Sequence, residues 1–251
     1  MSKIALITGA SRGLGKDMAL SLAKKGIDVI FTYHSKKDEA AEVAQEIEKL
    51  GQKAFFIQLS VDSQAGFGDF LTHLQQLLNE KFSTQKIDFL VNNAGIGLST
   101  VLGETDEKTF DTLMNIHMKS PYFLTQKILP YLNDGGAVVN LSSGLTRFSM
   151  AGYSVYAGLK TAMETMTKYW ALELGPRKIR VNIVAPGAIE TDFGGGAVRD
   201  NQQINAHIAA STALGRVGLP GDIGSVVAFL CSEDAKWING QRIEVSGGIN
   251  L

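Results

Sequence analysis

Tyr156 and Lys160 stand four residues apart as Tyr-x-x-x-Lys. On a helix that spacing puts both side chains on one face. A phenol with an ordinary pKa of about 10 is a poor base at neutral pH. A neighbouring ammonium favours the phenolate, so the pair can protonate a carbonyl oxygen or deprotonate an alcohol. Ser143 ends the run Ala137-Val-Val-Asn-Leu-Ser-Ser143 and offers a hydroxyl to the same oxygen. Alone, Tyr-x-x-x-Lys is common on helices and carries little meaning.

A second constellation gives the pair something to serve. Thr8-Gly9-Ala10-Ser11-Arg12-Gly13-Leu14-Gly15 follows an apolar strand-like run and opens an amphipathic stretch. Glycines there permit a tight turn, close approach of the backbone to a pyrophosphate, and close helix–sheet packing. The helix N-terminus adds free N–H groups and a positive dipole. The turn therefore reads as a dinucleotide site formed by Gly9, Ser11, Arg12, Gly13, Leu14 and Gly15, and Tyr156 with Lys160 as the acid–base pair of a nicotinamide-dependent carbonyl/alcohol oxidoreductase. An NAD site places a carboxylate at the end of the second strand, on the ribose 2′-hydroxyl. Here the stretch is Phe31-Thr-Tyr-His34-Ser35-Lys36-Lys37, with no acid before Asp38. The missing carboxylate, with Arg12, Ser35 and the lysines as partners for a 2′-phosphate, predicts NADP(H) over NAD(H).

The elements that must position these groups alternate from end to end. Strands are expected at Ile4–Thr8, Asp28–Tyr33, Ala54–Leu59, Phe89–Asn92, Ala137–Leu141, Arg180–Ala185 and Arg242–Val245. Helices are expected at Leu14–Lys25, Lys37–Leu50, Gln64–Asn79, Glu107–Leu132, Tyr153–Leu174 and Asp222–Ser232. Short apolar strands without polar alternation are those covered on both faces. The pattern predicts an α/β fold, a Rossmann-like, doubly wound parallel sheet of about seven strands. It forms a single domain over residues 1–251, with a lid at about 189–216 containing Gly194-Gly-Gly196. A strand's carboxyl end, where Ser143 falls, is where such sheets bind ligands.

Composition narrows the rest. With 251 residues, 45% hydrophobic and a net charge of -1, the chain has apolar content for a large core and no field to attract nucleic acid or an anionic membrane. No apolar run is long enough to span a bilayer, and the start lacks the look of a signal peptide. The single cysteine, Cys231, excludes an intrachain disulfide and suits a reducing cytoplasm; its apolar neighbours predict a buried thiol. His34, His73 and His207 are scattered without ligand spacing, so no metal site is expected. The lid's Phe193, Ala197, Val198, Ile204, Ile208 and Ala209 suit an apolar or mixed small molecule, or packing.

In these motifs the chain resembles the short-chain dehydrogenase/reductase family: Thr8-Gly-x-x-x-Gly13-x-Gly15, Asn92-Asn-Ala-Gly95, Ser143, Tyr156-x-x-x-Lys160, Pro186-Gly187 and Ser246-Gly-Gly. The resemblance covers nearly the whole chain. It implies that Asn93, Ala94 and Gly95 line the adenine-ribose side, that Pro186, Gly187, Ile189 and Thr191 flank the nicotinamide, that Lys160 also holds the nicotinamide ribose, and that the protein is a homotetramer. It also places His34, Ser35, Ser60 and Val61 along the cofactor. Two positions depart from the family. Ser60-Val61 stands where Asp-Val is usual. His117, in His117-Met-Lys-Ser-Pro-Tyr-Phe123, aligns with a catalytic asparagine whose family role is to hold a water connecting Lys160 to solvent. Imidazole titrates near neutrality and both donates and accepts, so His117 reads either as a member of that relay or as a packing residue. Asn115, two residues away, is about 200° round an α-helix and no simple substitute. Tyr153 also satisfies the Tyr-x6-Lys spacing of related enoyl-thioester reductases, but Tyr156 and the form of the glycine turn favour carbonyl reduction. From a different class, the alternative is a nucleotide-sensing protein that kept the fold without the chemistry.

Overall fold

The computed structural model describes residues 2–251. One parallel sheet is built from β1 Ile4–Ile7, β2 Asp28–Tyr33, β3 Ala54–Gln58, β4 Ile87–Asn92, β5 Leu132–Leu141, β6 Arg180–Pro186 and β7 Arg242–Val245. The strand order is β3-β2-β1-β4-β5-β6-β7. The chain winds outward once from β1 and once from β4, so the order reverses between those two strands. That is the switch point where ligands enter doubly wound sheets, and the fold is the Rossmann-like one expected.

The helices are α1 Gly13–Lys24, α2 Lys37–Lys49, α3 Phe67–Leu77, α4 Glu107–Met114, α5 Ser120–Ile128, α6 Ser154–Glu173, α7 Ala197–Asp200, α8 Gln202–Ala210 and α9 Pro220–Leu230. In β1 the side chains of Ala5 and Ile7 enter one core while Ile4 and Leu6 enter the other, as the two-residue strand period requires. The first core is closed by Met18 and Leu22 of α1, Val43 and Ile47 of α2, and Ile223 and Val227 of α9. The second is closed by Phe67, Phe70 and Leu74 of α3, Leu124 and Ile128 of α5, and Met163 and Trp170 of α6.

The structure revises several expected boundaries. The helix expected over Glu107–Leu132 is interrupted by a π-helical turn, Asn115–Lys119, and ends in a 3₁₀ turn at Leu129–Tyr131. β5 begins at Leu132 rather than Ala137 because Leu132 pairs with Ile87 before a register shift. Gly136 permits this: a Cβ there would lie 2.3 Å from the Asp88 carbonyl oxygen. α9 starts at Pro220, ahead of the expected Asp222, since the Asp222 carboxylate accepts from the Leu219 N–H at 2.7 Å and caps the first turn. The lid carries two short helices. α8 is capped by Asn201, whose side chain accepts from the N–H groups of Gln203 and Ile204 at 3.0 and 3.1 Å. Cys231 is buried, and burial pushes its thiol up to about 12.

Gly15 shows how tightly α1 sits on the switch point. A Cβ there would lie 2.3 Å from the Gly9 carbonyl oxygen and 2.6 Å from Asn93 Nδ2. Gly15→Ala is expected to destabilise the fold by about 1–3 kcal/mol, the range for overpacking, and to weaken NADPH binding. Gly68→Ala, on the open side of α3 where a Cβ meets nothing within 4 Å, should be neutral or slightly stabilising. Thermal melts and NADPH fluorescence titrations of both variants check this.

Candidate functional site

The carboxyl ends of β1 and β4 are stitched together by side-chain–backbone bonds. Asn93 N–H and Ala94 N–H each donate to Thr8 Oγ1 at 3.0 Å, and Asn93 Nδ2 donates to the carbonyls of Thr8 and Gly9 at 2.9 Å. Gly9 and Gly13 have φ of 69° and 57°, a backbone that residues with a Cβ adopt at a cost. α1 opens without a side-chain cap and with no acid in its first turn. Its first N–H groups and dipole are thus available to an anion. Uncapped helix, glycine turn and switch point together fit the pyrophosphate of a dinucleotide. Thr191 stands over the turn, its Cβ 3.7 Å from where a Cβ on Gly13 would be.

Farther out, His34 and Ser35 are exposed at the end of β2. Lys36 pairs with Glu39 at 3.3 Å. The Ser60 hydroxyl bonds to Asp62, a carboxylate two residues beyond the position where the family has its own, and the Val61 carbonyl accepts from Ser120 Oγ. Arg12 reaches toward the lid. Its Nη1 lies 3.2 Å from Asp192 Oδ2, across the groove in the lid. Asp192 is shared with Arg199, whose Nη1 is 2.5 Å from Oδ1.

At the end of β5, Ser143 caps the turn Gly144–Thr146, its Oγ accepting from Leu145 N–H at 3.2 Å. α6 carries Tyr156 and Lys160 inward, and both are buried. Burial pushes the Tyr156 phenol up to about 12, and the Tyr153 phenol adds to that; Ser143 is the neighbour that favours the phenolate. Lys160 Nζ donates to the Leu141 carbonyl at 2.8 Å and stands 5.7 Å from the centre of the Tyr156 ring. Burial lowers its ammonium to about 8. The expected lowering of the phenol by Lys160 is therefore not seen: desolvation dominates, and the phenol stays protonated at neutral pH. That is the form that donates a proton.

His117 reaches the same spot. It lies in the π turn, 2% exposed, with its ring edge-on to Tyr156 at 5.1 Å. Nε2–H donates to the Ile96 carbonyl at 2.8 Å. Burial first, then the Lys160 charge, push the imidazole down to about 3. The expectation that it titrates near neutrality is thus overturned; it is a neutral ring whose Nδ1 carries a lone pair. Gly95 makes room for it, since a Cβ there would lie 2.9 Å from His117 Cε1. His117, Lys160, Asn92, Ser120 and Asn140 line a cavity of about 20 Å³, room for one water. Asn115 is not among its lining residues. His117 Nδ1 and Asn92 Oδ1 are the two buried side-chain atoms left without a hydrogen-bond partner among the described residues.

Around the phenol, Phe193 of the lid lies 5.9 Å from the Tyr156 ring and Tyr153 lies 6.4 Å away. Phe193 packs on Gly97, where a Cβ would lie 2.7 Å from its ring. Pro186 ends β6, and Gly187 and Ile189 follow it. Gly187 lies against Ser246, whose Cα would be 2.9 Å from a Cβ there. Sequence reasoning quoted Asn92 only as the start of the Asn92-Asn-Ala-Gly95 motif, without a role of its own, and missed Asp192 and Glu164 as members of this region. Glu164 was legible only as a polar residue on a helix with apolar neighbours.

Comparison with known proteins agrees with this geometry. A family model described as Enoyl-(Acyl carrier protein) reductase matches residues 9–250. The short-chain dehydrogenase/reductase FrzI of Cladobotryum sp is 37% identical, with 99% of this chain and 96% of that protein aligned. The hydroxynaphthalene reductase-like protein Arp2 of Metarhizium brunneum is 36% identical over 98% of this chain and 94% of its own. The crystal structure of the angucycline C-6 ketoreductase LanV with bound NADP superposes with a TM-score of 0.94 at 37% identity, covering 99% of this chain and 96% of that one. The chain belongs to the short-chain dehydrogenase/reductase family.

Proposed function

We propose that this protein is an NAD(P)-dependent oxidoreductase that reduces a carbonyl to a secondary alcohol, or runs the reverse, with Tyr156 as general acid/base. The observation that carries the reading is a buried phenol set between Ser143 and Lys160, beside the glycine turn at the switch point. When bound, the nicotinamide supplies or accepts the hydride. In the reductive direction Tyr156 gives its proton to the carbonyl oxygen, and Ser143 Oγ hydrogen-bonds the same oxygen. The Lys160 ammonium stabilises the phenolate left behind and holds the ribose hydroxyls. A water in the cavity beside Lys160 reconnects it to the proton supply. His117, neutral above about pH 3, orients that water through Nδ1 and does not itself carry the proton.

The cofactor is NADP(H) in preference to NAD(H). Support comes from the absence of a carboxylate at the end of β2, and LanV was solved with NADP. The cofactor lies along Gly9 to Gly15, His34 and Ser35, Ser60 and Val61, Asn93 to Gly95, and Pro186 to Thr191. The substrate is a small, apolar ketone with an aromatic ring system: Tyr153 and Phe193 flank the phenol, and relatives are named for hydroxynaphthalene and angucycline ketone reduction. The protein works as a cytoplasmic homo-oligomer. Tyr169 and Leu172 leave an apolar face of α6 exposed for a second copy, and among the described residues no helix is long and apolar enough to cross a membrane.

The description of the matching family model makes enoyl reduction the reading to test against. Tyr156→Phe is expected to lower kcat for ketone reduction by about 10³-fold, within the range for loss of a general acid, while Tyr153→Phe stays within a few-fold; the opposite pattern would make Tyr153 the working phenol. Steady-state kcat/KM should be clearly higher for NADPH than for NADH, and a preference for NADH overturns the cofactor assignment. His117→Asn keeps a polar side chain at the cavity, so it should retain most of kcat while His117→Ala loses about tenfold, at the low end of positioning effects. The wild-type pH profile should show no step from His117 between pH 5 and 8, and wild-type activity in both variants removes it from the relay.

A further inference from the structure

Ser143 is held in place by a group outside the site described so far. On α6, Glu164 stands one turn beyond Lys160 and two beyond Tyr156, on the same side of the helix. Its Oε1 gathers three donors. Ser142 Oγ donates to it at 2.5 Å, the Thr146 hydroxyl lies 2.7 Å away, and Arg242 Nε donates at 2.7 Å. Ser142 and Thr146 bracket the turn that carries Ser143. Arg242, from β7, also reaches Thr146 Oγ1 at 3.1 Å through Nη2. The Glu164 and Arg242 side chains are 15% and 23% exposed, so this pair is more sheltered than ion pairs on an open surface, which contribute little.

The consequence is geometric. Tyr156 is fixed to α6 directly. The Ser143 turn comes from another element, the end of β5, and needs a tether to the same helix if its hydroxyl is to meet the same substrate oxygen. Ångström-scale misplacement of such groups is costly in rate. Resting on the reading of Ser143 above, we propose that Glu164, charge-balanced by Arg242, is a positioning residue that ties the Ser143 turn to the helix bearing Tyr156 and Lys160.

A double-mutant cycle separates this role from simple support of the fold. kcat and KM for an activated aromatic ketone are measured with NADPH for wild type, Ser143→Ala, Glu164→Ala and the double variant, alongside NADPH affinity and melting temperature. Ser143→Ala is expected to lower kcat by about 10²-fold, as for loss of one donor to the reacting oxygen. Glu164→Ala should lower kcat by about tenfold with NADPH affinity unchanged. In the Ser143→Ala background the same substitution should cost less than about twofold, because the group it positions is gone. An equal loss in both backgrounds overturns the proposal while leaving Ser143 in its role. Unchanged kcat in Ser143→Ala instead overturns the reading of Ser143 and takes this proposal with it. If Glu164→Ala fails to fold, Ser142→Ala combined with Thr146→Val removes both tethers and leaves the Glu164–Arg242 pair intact. It should show the same loss and the same dependence on Ser143, and wild-type kcat in that variant overturns the proposal equally.

Discussion

The ammonium of Lys160 is buried, and much of the site's arrangement answers that constraint. An ammonium in a poorly solvated interior is costly unless acceptors surround it. The Leu141 carbonyl, at the end of β5, is one such acceptor. A second region of acceptors lies across the small cavity, where His117 and Asn92 each bring an unpaired lone pair. The direction of the hydrogen bonds behind Asn92 shows why its oxygen, rather than its amide nitrogen, is free. The Thr167 hydroxyl donates to the Met163 carbonyl at 2.8 Å, so its oxygen accepts from Asn140 Nδ2 at 2.9 Å. Asn140 must then present Oδ1 to Asn92 Nδ2 at 2.9 Å, and the other N–H of Asn92 goes to Thr125 Oγ1 at 2.9 Å. A helix carbonyl two asparagines away thereby fixes an acceptor at the cavity. The Ile96 carbonyl does the same for His117, by holding the proton on Nε2.

The same desolvation sorts three titratable groups in one small volume. It raises the phenol, lowers the ammonium and lowers the imidazole, each toward its neutral form. Lys160, at about 8, stays above neutrality and His117, at about 3, falls well below it, so around pH 7 the resting site holds a protonated Tyr156, a charged Lys160 and a neutral His117. One positive charge among neutral dipoles suits a site that must accommodate a polyanionic dinucleotide and then a developing phenolate. A second charge on His117 would repel the first, which is part of why its protonation is suppressed.

Where the sequence was readable, it was readable because the relevant physics is local. The glycine turn follows β1 directly, Tyr156 and Lys160 share a helix face, and β1 to β6 each contain an apolar run long enough to stand out. The elements that escaped depend on partners far along the chain. Arg12 is legible as a member of the glycine turn, but its ion-pair partner Asp192, 180 residues away, is not. Glu164 is an ordinary helical glutamate until β7 brings Arg242 against it. His117 looked titratable because its reference pKa is near neutral, and only the enclosure by Ile96, Gly95 and Lys160 removes that property. The π turn likewise leaves no mark in the apolar periodicity, since α4 and α5 read as one helix on either side of it.

The lid follows a different balance of forces. Its entry is Phe193 followed by Gly194, Gly195 and Gly196, all with positive φ, between 60° and 78°. Three successive residues in that region demand glycine and leave the segment with little side-chain packing of its own. The ion pair that joins the lid across the groove, Arg12 with Asp192, and the pair within the lid, Asp192 with Arg199, are solvent-exposed and are weak and salt-screened for that reason. Charge therefore cannot be what holds the lid down over the phenol. The apolar contact of Phe193 with Gly97 and with the Tyr156 ring is the part that water cannot replace. Because a substrate must occupy the space in front of the same ring, an apolar ligand can substitute for Phe193 as the covering surface, whereas a strongly polar one would leave the ring uncovered. On the proposed reading, the contact that covers the phenol would thus also select for an apolar substrate.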